Sequence, residues 1–326
     1  MGAGGRHQPA LLETERWFLR HGLPYFVEEE RQQVRRGLGR ARLLRLVAVA
    51  VLLGAGIGVP LGVVARELST GLAAGLWSAG LVVAGYAATT LRLRVIARWA
   101  VGRTLASLGT MFPLVTRALP LLMLFVTFLF INTEVWMVAA SLEPGVLTLA
   151  VTFFAALAVG FLLVRLPEEM DRVDDDVDPG RLAARTVGTP VEGHAAGVFH
   201  GVERRQLAGL VEVAGLAKWN LVLVLLVAQA VQVLLLSLAV LVFFLGFGSV
   251  VMQPEVVAAW LGEDRLTDVW VPLLKVSVFL AGFSGLYFTV GAVTDETYRQ
   301  QFFTSVTREL ERAVAVRAVY RTLRAR

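Results

Sequence analysis

Cysteine, lysine and charge are all scarce in this sequence. The 326 residues include no cysteine, which excludes disulfides, thiolate catalysis and Cys-based metal or iron–sulfur centres. Charged residues make up 17%, whereas an ordinary soluble domain has about 25%. Of the 31 basic residues only Lys218 and Lys275 are lysines, a bias that indicates a GC-rich bacterial genome rather than a binding chemistry.

Apolar sequence is abundant, at 56% of the chain. The clearest run lies between Arg117 and Glu134, where sixteen residues in succession carry no charge. As a helix, this run covers roughly 24 Å, and a few further residues complete the crossing of a bilayer core of about 30 Å. Similar runs recur along the chain, and they predict an all-α membrane protein with about six transmembrane helices.

The distribution of basic residues predicts the topology. Of the 31 basic residues, 28 fall in segments that share one side of a six-span topology, and only Arg66, Arg265 and Lys275 fall on the other. The side rich in arginine is expected to be cytoplasmic, so we predict a multi-pass protein of the cell (inner) membrane with both termini cytoplasmic.

The predicted segments follow from these runs. They are a cytoplasmic amphipathic N-terminal region (1–45), a transmembrane hairpin (46–91), an interfacial helix plus a second hairpin (92–164), a cytoplasmic acidic loop with an amphipathic helix (165–218), a third hairpin (219–290) that contains an outer loop (248–269), and a basic cytoplasmic C-terminal helix (291–326). The third transmembrane helix is expected at about 116–140.

Glycines spaced by four residues occur in the first two spans. Gly54, Gly58 and Gly62 lie in the first span, and Gly71 and Gly75 follow in the second. Small residues at this spacing allow two helices to approach closely in lipid. We therefore predict a tight antiparallel hairpin, although glycine is also simply common in the spans of a glycine-rich chain.

Two charged residues, Glu134 and Lys275, are expected near the outer ends of their spans. A charge close to the apolar zone is a candidate functional residue, and the alternative is a position at headgroup depth. If the third and sixth spans are neighbours, the two side chains are expected to form a salt bridge at the outer mouth of a pathway.

Polar side chains also occur inside the spans. Gln229 and Gln232 lie near the centre of the fifth span, and Ser277, Ser284 and Tyr287 are expected to form a stripe on the sixth. Such groups either make hydrogen bonds between helices or line a polar pathway.

No metal or catalytic motif emerges. Asp174, Asp176 and Asp178 match the start of a calcium loop, but Pro179 replaces its glycine and Arg185 its bidentate glutamate. We expect a solvated acidic turn, no metal, no cofactor and no catalytic residue.

The stretch Arg117–Leu142 and the tail Thr294–Arg299 resemble uncharacterised polytopic integral membrane proteins of GC-rich bacteria, a resemblance that carries no activity with it. The first functional hypothesis is a channel or transporter for a small ion or solute. The second is a non-transporting scaffold or accessory subunit of a membrane complex. Expected partners are a bilayer with anionic headgroups and, as one option, further copies of the chain. Nucleic acid is not expected, because the basic excess serves membrane orientation.

Overall fold

The computed structural model describes residues 4–174, 179–200, 209, 211–262, 268–294 and 296–325, and every regular element within these ranges is helical. The helices are α1 (Gly4–Arg20), a 3-10 turn (Pro24–Phe26), α2 (Glu28–Gly37), α3 (Arg40–Ala65), α4 (Leu68–Thr89), α5 (Leu93–Phe130), α6 (Thr133–Ser141), α7 (Pro144–Asp174), α8 (Pro179–Arg185), α9 (Glu192–Phe199), α10 (Leu216–Val251), α11 (Pro254–Leu261), α12 (Trp270–Thr294) and α13 (Glu296–Ala325).

Five helices are long and apolar enough to cross a membrane. They are α3, α4, the Pro144–Pro167 part of α7, α10, and the Trp270–Gly291 part of α12. Apolar side chains surround these helices instead of forming one stripe, which is typical of a helix in lipid. The prediction of an all-helical, multi-pass membrane protein is confirmed at this level.

The helix expected at 116–140 differs from the prediction at both ends. It is continuous with the amphipathic segment before it, and the resulting helix α5 ends at Phe130. Asn132 then begins a separate helix, α6, because its side-chain oxygen accepts hydrogen bonds from the backbone nitrogens of Glu134 (2.8 Å) and Val135 (3.3 Å). Asparagine is a preferred N-cap, so this residue divides the apolar stretch into two helices.

Both ends of the chain pack together at one end of the bundle, which we call the terminal end. The Phe18 ring of α1 makes edge contacts with Phe26 (5.3 Å between centroids) and with Tyr320 of α13 (5.6 Å). The same buried cluster includes Leu166 of α7 and Leu221 of α10. The last turns of α7 and the first turns of α10 therefore lie at the terminal end.

A second buried cluster closes the opposite, distal end. Phe130 at the end of α5 stacks on Phe244 of α10, with 4.5 Å between ring centroids. Trp136 of α6 donates its indole N–H to the Phe130 carbonyl (2.6 Å) and contacts Trp260 of α11. Since Ile96, near the start of α5, is buried with Tyr25, α5 runs from the terminal end to the distal end.

Candidate functional site: a buried polar seam between α10 and α12

Helices α10 and α12 are antiparallel neighbours, and glycines fix how closely they approach. A β-carbon added at Gly285 of α12 would lie 2.5 Å from the Ser237 hydroxyl oxygen of α10. Near the distal end, a β-carbon at Gly248 of α10 would overlap Leu273 of α12. Two contacts so far apart set one register along the whole pair, so residues on the two helices can be assigned to common levels.

Polar side chains with little or no exposed surface occur along both of these helices, and we call them the polar seam. Its members are the buried Gln229 and Gln232 and the half-buried Ser237 on α10, with the buried Ser277, Ser284 and Thr289 on α12. The register that brings Ser237 to Gly285 brings Gln232 to about the level of Thr289, one to two turns closer to the terminal end. The seam therefore extends over several turns of both helices.

Two of the seam hydroxyls are satisfied within their own helix. Ser284 donates to the Leu280 carbonyl (2.6 Å), and Thr289 donates to the Gly285 carbonyl (2.7 Å). Serine and threonine commonly make this bond to the preceding turn. These two hydroxyl groups keep lone pairs that can accept a further hydrogen bond.

Ser277 is different, because its hydroxyl oxygen is fully buried and the described part of the chain offers it no hydrogen-bond partner. An unsatisfied buried polar group costs about 1–3 kcal/mol, so such groups are rare in native folds. The hydroxyl of Ser277 therefore has an unused hydrogen-bonding capacity inside the bundle.

Tyr287 does not belong to the seam. Ser277 and Ser284 are seven residues apart and share a face, whereas Tyr287 lies about 80° around the helix from Ser277 at 100° per residue. Its side chain is 48% exposed on the outside of the bundle. Tyr287 therefore lies on a different face of α12 from the two serines with which the sequence analysis grouped it.

Glu134 and Lys275 do not form the expected salt bridge. The Lys275 ammonium donates to the backbone carbonyl of Ala140 (3.0 Å), in the last turn of α6. Glu134 is exposed in the first turn of the same helix. The two charges lie at opposite ends of α6, and each is favourable there, because a helix N-terminus attracts anions and a C-terminus attracts cations.

The glycines of the first two spans lie where α3 meets α4. A β-carbon at Gly58 would be 2.5 Å from the Gly71 carbonyl oxygen, and one at Gly54 would be 2.8 Å from the Gly75 carbonyl oxygen. A β-carbon added at Gly62 would be 3.2 Å from the Gly71 α-carbon. The two backbones are in direct contact here, and any larger side chain would separate them.

Asn220 is a buried polar residue that the sequence analysis did not identify. Asn220 is fully buried; its amide nitrogen donates to the Gly22 carbonyl (2.8 Å), and its amide oxygen accepts from the Tyr25 backbone nitrogen (2.8 Å). It ties the N-terminal segment to α10. In the sequence, Asn220 follows Lys218 and Trp219 at the start of an apolar run, and an amide at that position was the available signal of a buried hydrogen-bonding residue.

Most of the acidic segment, including Asp176 and Asp178, lies outside the described residues. Within the described ranges, no group of three or more His, Cys, Asp or Glu side chains is arranged to hold a metal ion. Comparisons with known proteins found no matching family model, no similar curated protein and no similar solved structure.

Proposed function

We propose that this integral membrane protein is a channel or transporter for a small cation, and that the polar seam between α10 and α12 is its pathway. The observation that carries the proposal is a set of buried polar groups on two neighbouring helices. The Ser277 hydroxyl, which has no hydrogen-bond partner in the described part of the chain, lies toward the distal end, and Gln232 and Gln229 lie toward the terminal end. In a bundle made of Leu, Val and Ala, a row of uncharged polar groups can replace part of an ion's hydration shell without a fixed charge.

The preference for a cation rests on the distal end. The carboxylates among its described residues are Glu67, Glu134, Glu143, Glu255 and Asp268, and the basic residues are Arg66 and Lys275. A surface with net negative charge raises the local concentration of cations. We further propose that α5 is the sixth crossing and that the terminal end, which carries most arginines, faces the cytoplasm.

Flux through proteoliposomes tests this proposal. Purified protein is reconstituted, and uptake of K⁺, Na⁺ and H⁺ is followed with ion-sensitive dyes. Gln232→Leu removes an amide from the seam at similar volume and is expected to reduce flux at least about tenfold. Tyr287→Phe removes a polar group outside the seam and is expected to leave flux unchanged.

The proposal fails if the wild-type protein conducts none of these ions above empty liposomes. It also fails if both variants reduce flux equally, since the seam would then have no special role.

A second candidate function is a non-transporting accessory subunit. It is favoured by the extent of the terminal end, where Glu311 of α13 forms ion pairs with Arg185 (2.8 Å) and Arg181 (3.5 Å) of α8. A folded cap of this kind offers a surface for another protein. A stable partner recovered by mild solubilisation, together with absent flux, would support this alternative.

A further inference from the structure

A cluster of exposed arginines occupies the corner between α2 and α3. Its members are Arg35, Arg36, Arg40, Arg42 and Arg45. None of these five guanidinium groups makes an ion pair within the described part of the chain, and only Arg45 makes a side-chain hydrogen bond there, to the Ala41 carbonyl at 3.2 Å. We call this group the arginine corner.

The acidic residues that could neutralise the corner are partly engaged elsewhere. At the opposite end of α2, Glu30 forms a two-bond ion pair with Arg92 (2.6 and 3.1 Å). Glu28 pairs with Arg31 (3.2 Å). The positive charge at the C-terminal end of α2 is therefore not balanced by these two carboxylates.

The position of α2 fixes the depth of the corner. The Tyr86 hydroxyl of α4 donates to the Gly37 carbonyl (2.7 Å), and a β-carbon at Gly37 would be 2.7 Å from the methyl carbon of Thr90. Thr90 caps the C-terminus of the spanning helix α4, so the last turn of α2 lies level with the end of a membrane span. That level corresponds to the headgroup layer of the bilayer.

Lipid has direct access to this corner. Helix α3 packs closely against α4 alone among the described helices. Beside Arg42 and Arg45, its other face presents apolar side chains such as Leu44, which is 71% exposed. Arginines above such a face can reach a phosphate while the acyl chains of the same lipid cover the apolar side chains.

We propose that the arginine corner is a binding site for the headgroup of an anionic phospholipid. Guanidinium groups form paired hydrogen bonds with phosphate oxygens, and the arginine corner carries five of them on neighbouring turns of α2 and α3. Phosphatidylglycerol and phosphatidylcholine each carry one phosphate anion, but the choline cation cancels that charge in phosphatidylcholine, so the site is expected to prefer phosphatidylglycerol. The lipid site depends on membrane insertion and not on ion transport. A negative lipid-binding result would therefore not change the interpretation of the flux experiment.

The test measures lipid binding by native mass spectrometry of the full chain in a non-ionic detergent. Phosphatidylglycerol and phosphatidylcholine are titrated into the wild-type protein and into the triple variant R36Q/R40Q/R42Q. The control triple variant R16Q/R20Q/R321Q removes the same charge from exposed arginines elsewhere at the terminal end. The first variant is expected to bind phosphatidylglycerol at least about tenfold more weakly, and the control less than about twofold, because each arginine near the headgroups contributes about 1 kcal/mol.

Equal losses in the two triple variants would overturn the site, because they would show general charge attraction. If R36Q/R40Q/R42Q fails to fold, the double variant R35Q/R45Q provides the same comparison. Inorganic phosphate and a short DNA duplex serve as competitors. Displacement of the lipid by millimolar phosphate, or tighter binding of the duplex than of phosphatidylglycerol, would equally contradict a lipid headgroup as the occupant.

Discussion

At the scale of single residues, Asn220 makes the most direct connection between the N-terminal segment and the bundle. It lies at the start of α10 with no exposed surface, and both of its hydrogen bonds reach backbone groups of residues 22–25. Those backbone groups lie beside a buried cluster, where water cannot easily replace a lost partner.

Replacing Asn220 by alanine is expected to lower the free energy of unfolding by about 1–3 kcal/mol, the cost of leaving buried polar groups unsatisfied. The measurement is the thermal unfolding midpoint in detergent. Gln32→Ala, which truncates an exposed amide on α2, is the control and should leave the midpoint unchanged. A midpoint for Asn220→Ala equal to that of the control would show that the two bonds contribute nothing.

Two tyrosines at the terminal end are held in their neutral form. Burial raises the pKa of Tyr25 from 10.0 to about 12. Burial and a hydrogen bond to the Glu15 carboxylate (2.5 Å) raise the pKa of Tyr320 to about 12. A raised pKa in the folded state means that the stabilisation is complete below pH 10 and is lost as the pH rises toward 12.

Tyrosinate absorbance should therefore include a late step in alkaline titration. Of the five tyrosines, Tyr25 and Tyr320 are expected to ionise near pH 12, together with unfolding. The double variant Tyr25→Phe/Tyr320→Phe should lack this late step and show weaker loss of stability between pH 10 and 12. A late step that persists in the double variant would assign it to other tyrosines.

At the scale of helices, the contact between α3 and α4 depends on the absence of side chains. The Gly58 α-carbon faces the Gly71 carbonyl and the Gly75 backbone, and a β-carbon there would be 2.5 Å and 3.0 Å from them. Gly56, on the same helix, faces open space. The two glycines therefore provide a matched pair for measuring what close packing contributes.

Gly58→Leu is expected to separate the helices and to destabilise the protein by about 1–3 kcal/mol, the usual cost of overpacking a tight contact. Gly56→Leu introduces the same side chain into open space and should be nearly neutral. Both unfolding midpoints can be measured in detergent. Equal effects of the two substitutions would mean that helix propensity, and not the α3–α4 contact, determines the change.

The short helix α6 explains why Glu134 and Lys275 are placed as they are. Each charge interacts with one end of this helix, and the two side chains have no ion pair between them. Their energetic roles should therefore be independent.

A double-mutant cycle of Glu134→Gln and Lys275→Met should be additive within about 0.5 kcal/mol. Lys275→Met should be the more costly change, because it removes the hydrogen bond to the Ala140 carbonyl, whereas Glu134 is exposed. Unfolding midpoints of the two single variants and the double variant provide the measurement. A double variant that is more stable than the sum of the two single effects predicts would indicate that the two side chains interact, as the sequence analysis expected.

At the scale of the whole molecule, the joint packing of α1 and α13 places both termini at one end of the bundle. The Tyr320 hydroxyl reaches Glu15 across this contact, and Arg324 donates to the same hydroxyl (3.1 Å). This contact supports the proposal of six crossings, because an even number leaves both ends of the chain on the same side of the membrane.

Cysteine labelling can test the proposed orientation, and the cysteine-free chain needs no prior substitution. Glu255→Cys on α11 should react with an impermeant thiol reagent in intact cells, and Arg321→Cys on α13 should react only after permeabilisation. Both positions are exposed in the structure. Labelling of position 321 alone in intact cells would reverse the orientation, and labelling of both positions would contradict the placement of α11 and α13 on opposite sides of the membrane.

The sequence by itself determined the class of fold. Long runs without charge can be stable only where backbone groups bond within a helix and side chains face lipid, so hydropathy indicates the transmembrane helices directly. The spacing of Gly54, Gly58 and Gly62 is local in the same way, because residues four apart share a helix face whatever surrounds it. The fold class and the first hairpin needed no knowledge of distant contacts.

The tertiary structure decided which polar groups meet. Tyr287 and Ser284 are only three residues apart, but the packing of α12 against α10 buries one and exposes the other. Lys275 finds the Ala140 carbonyl because Asn132 begins a new helix that ends beside it, and only the folded chain shows that meeting. Periodicity assigns residues to the faces of one helix, whereas burial and partners depend on which helix lies opposite.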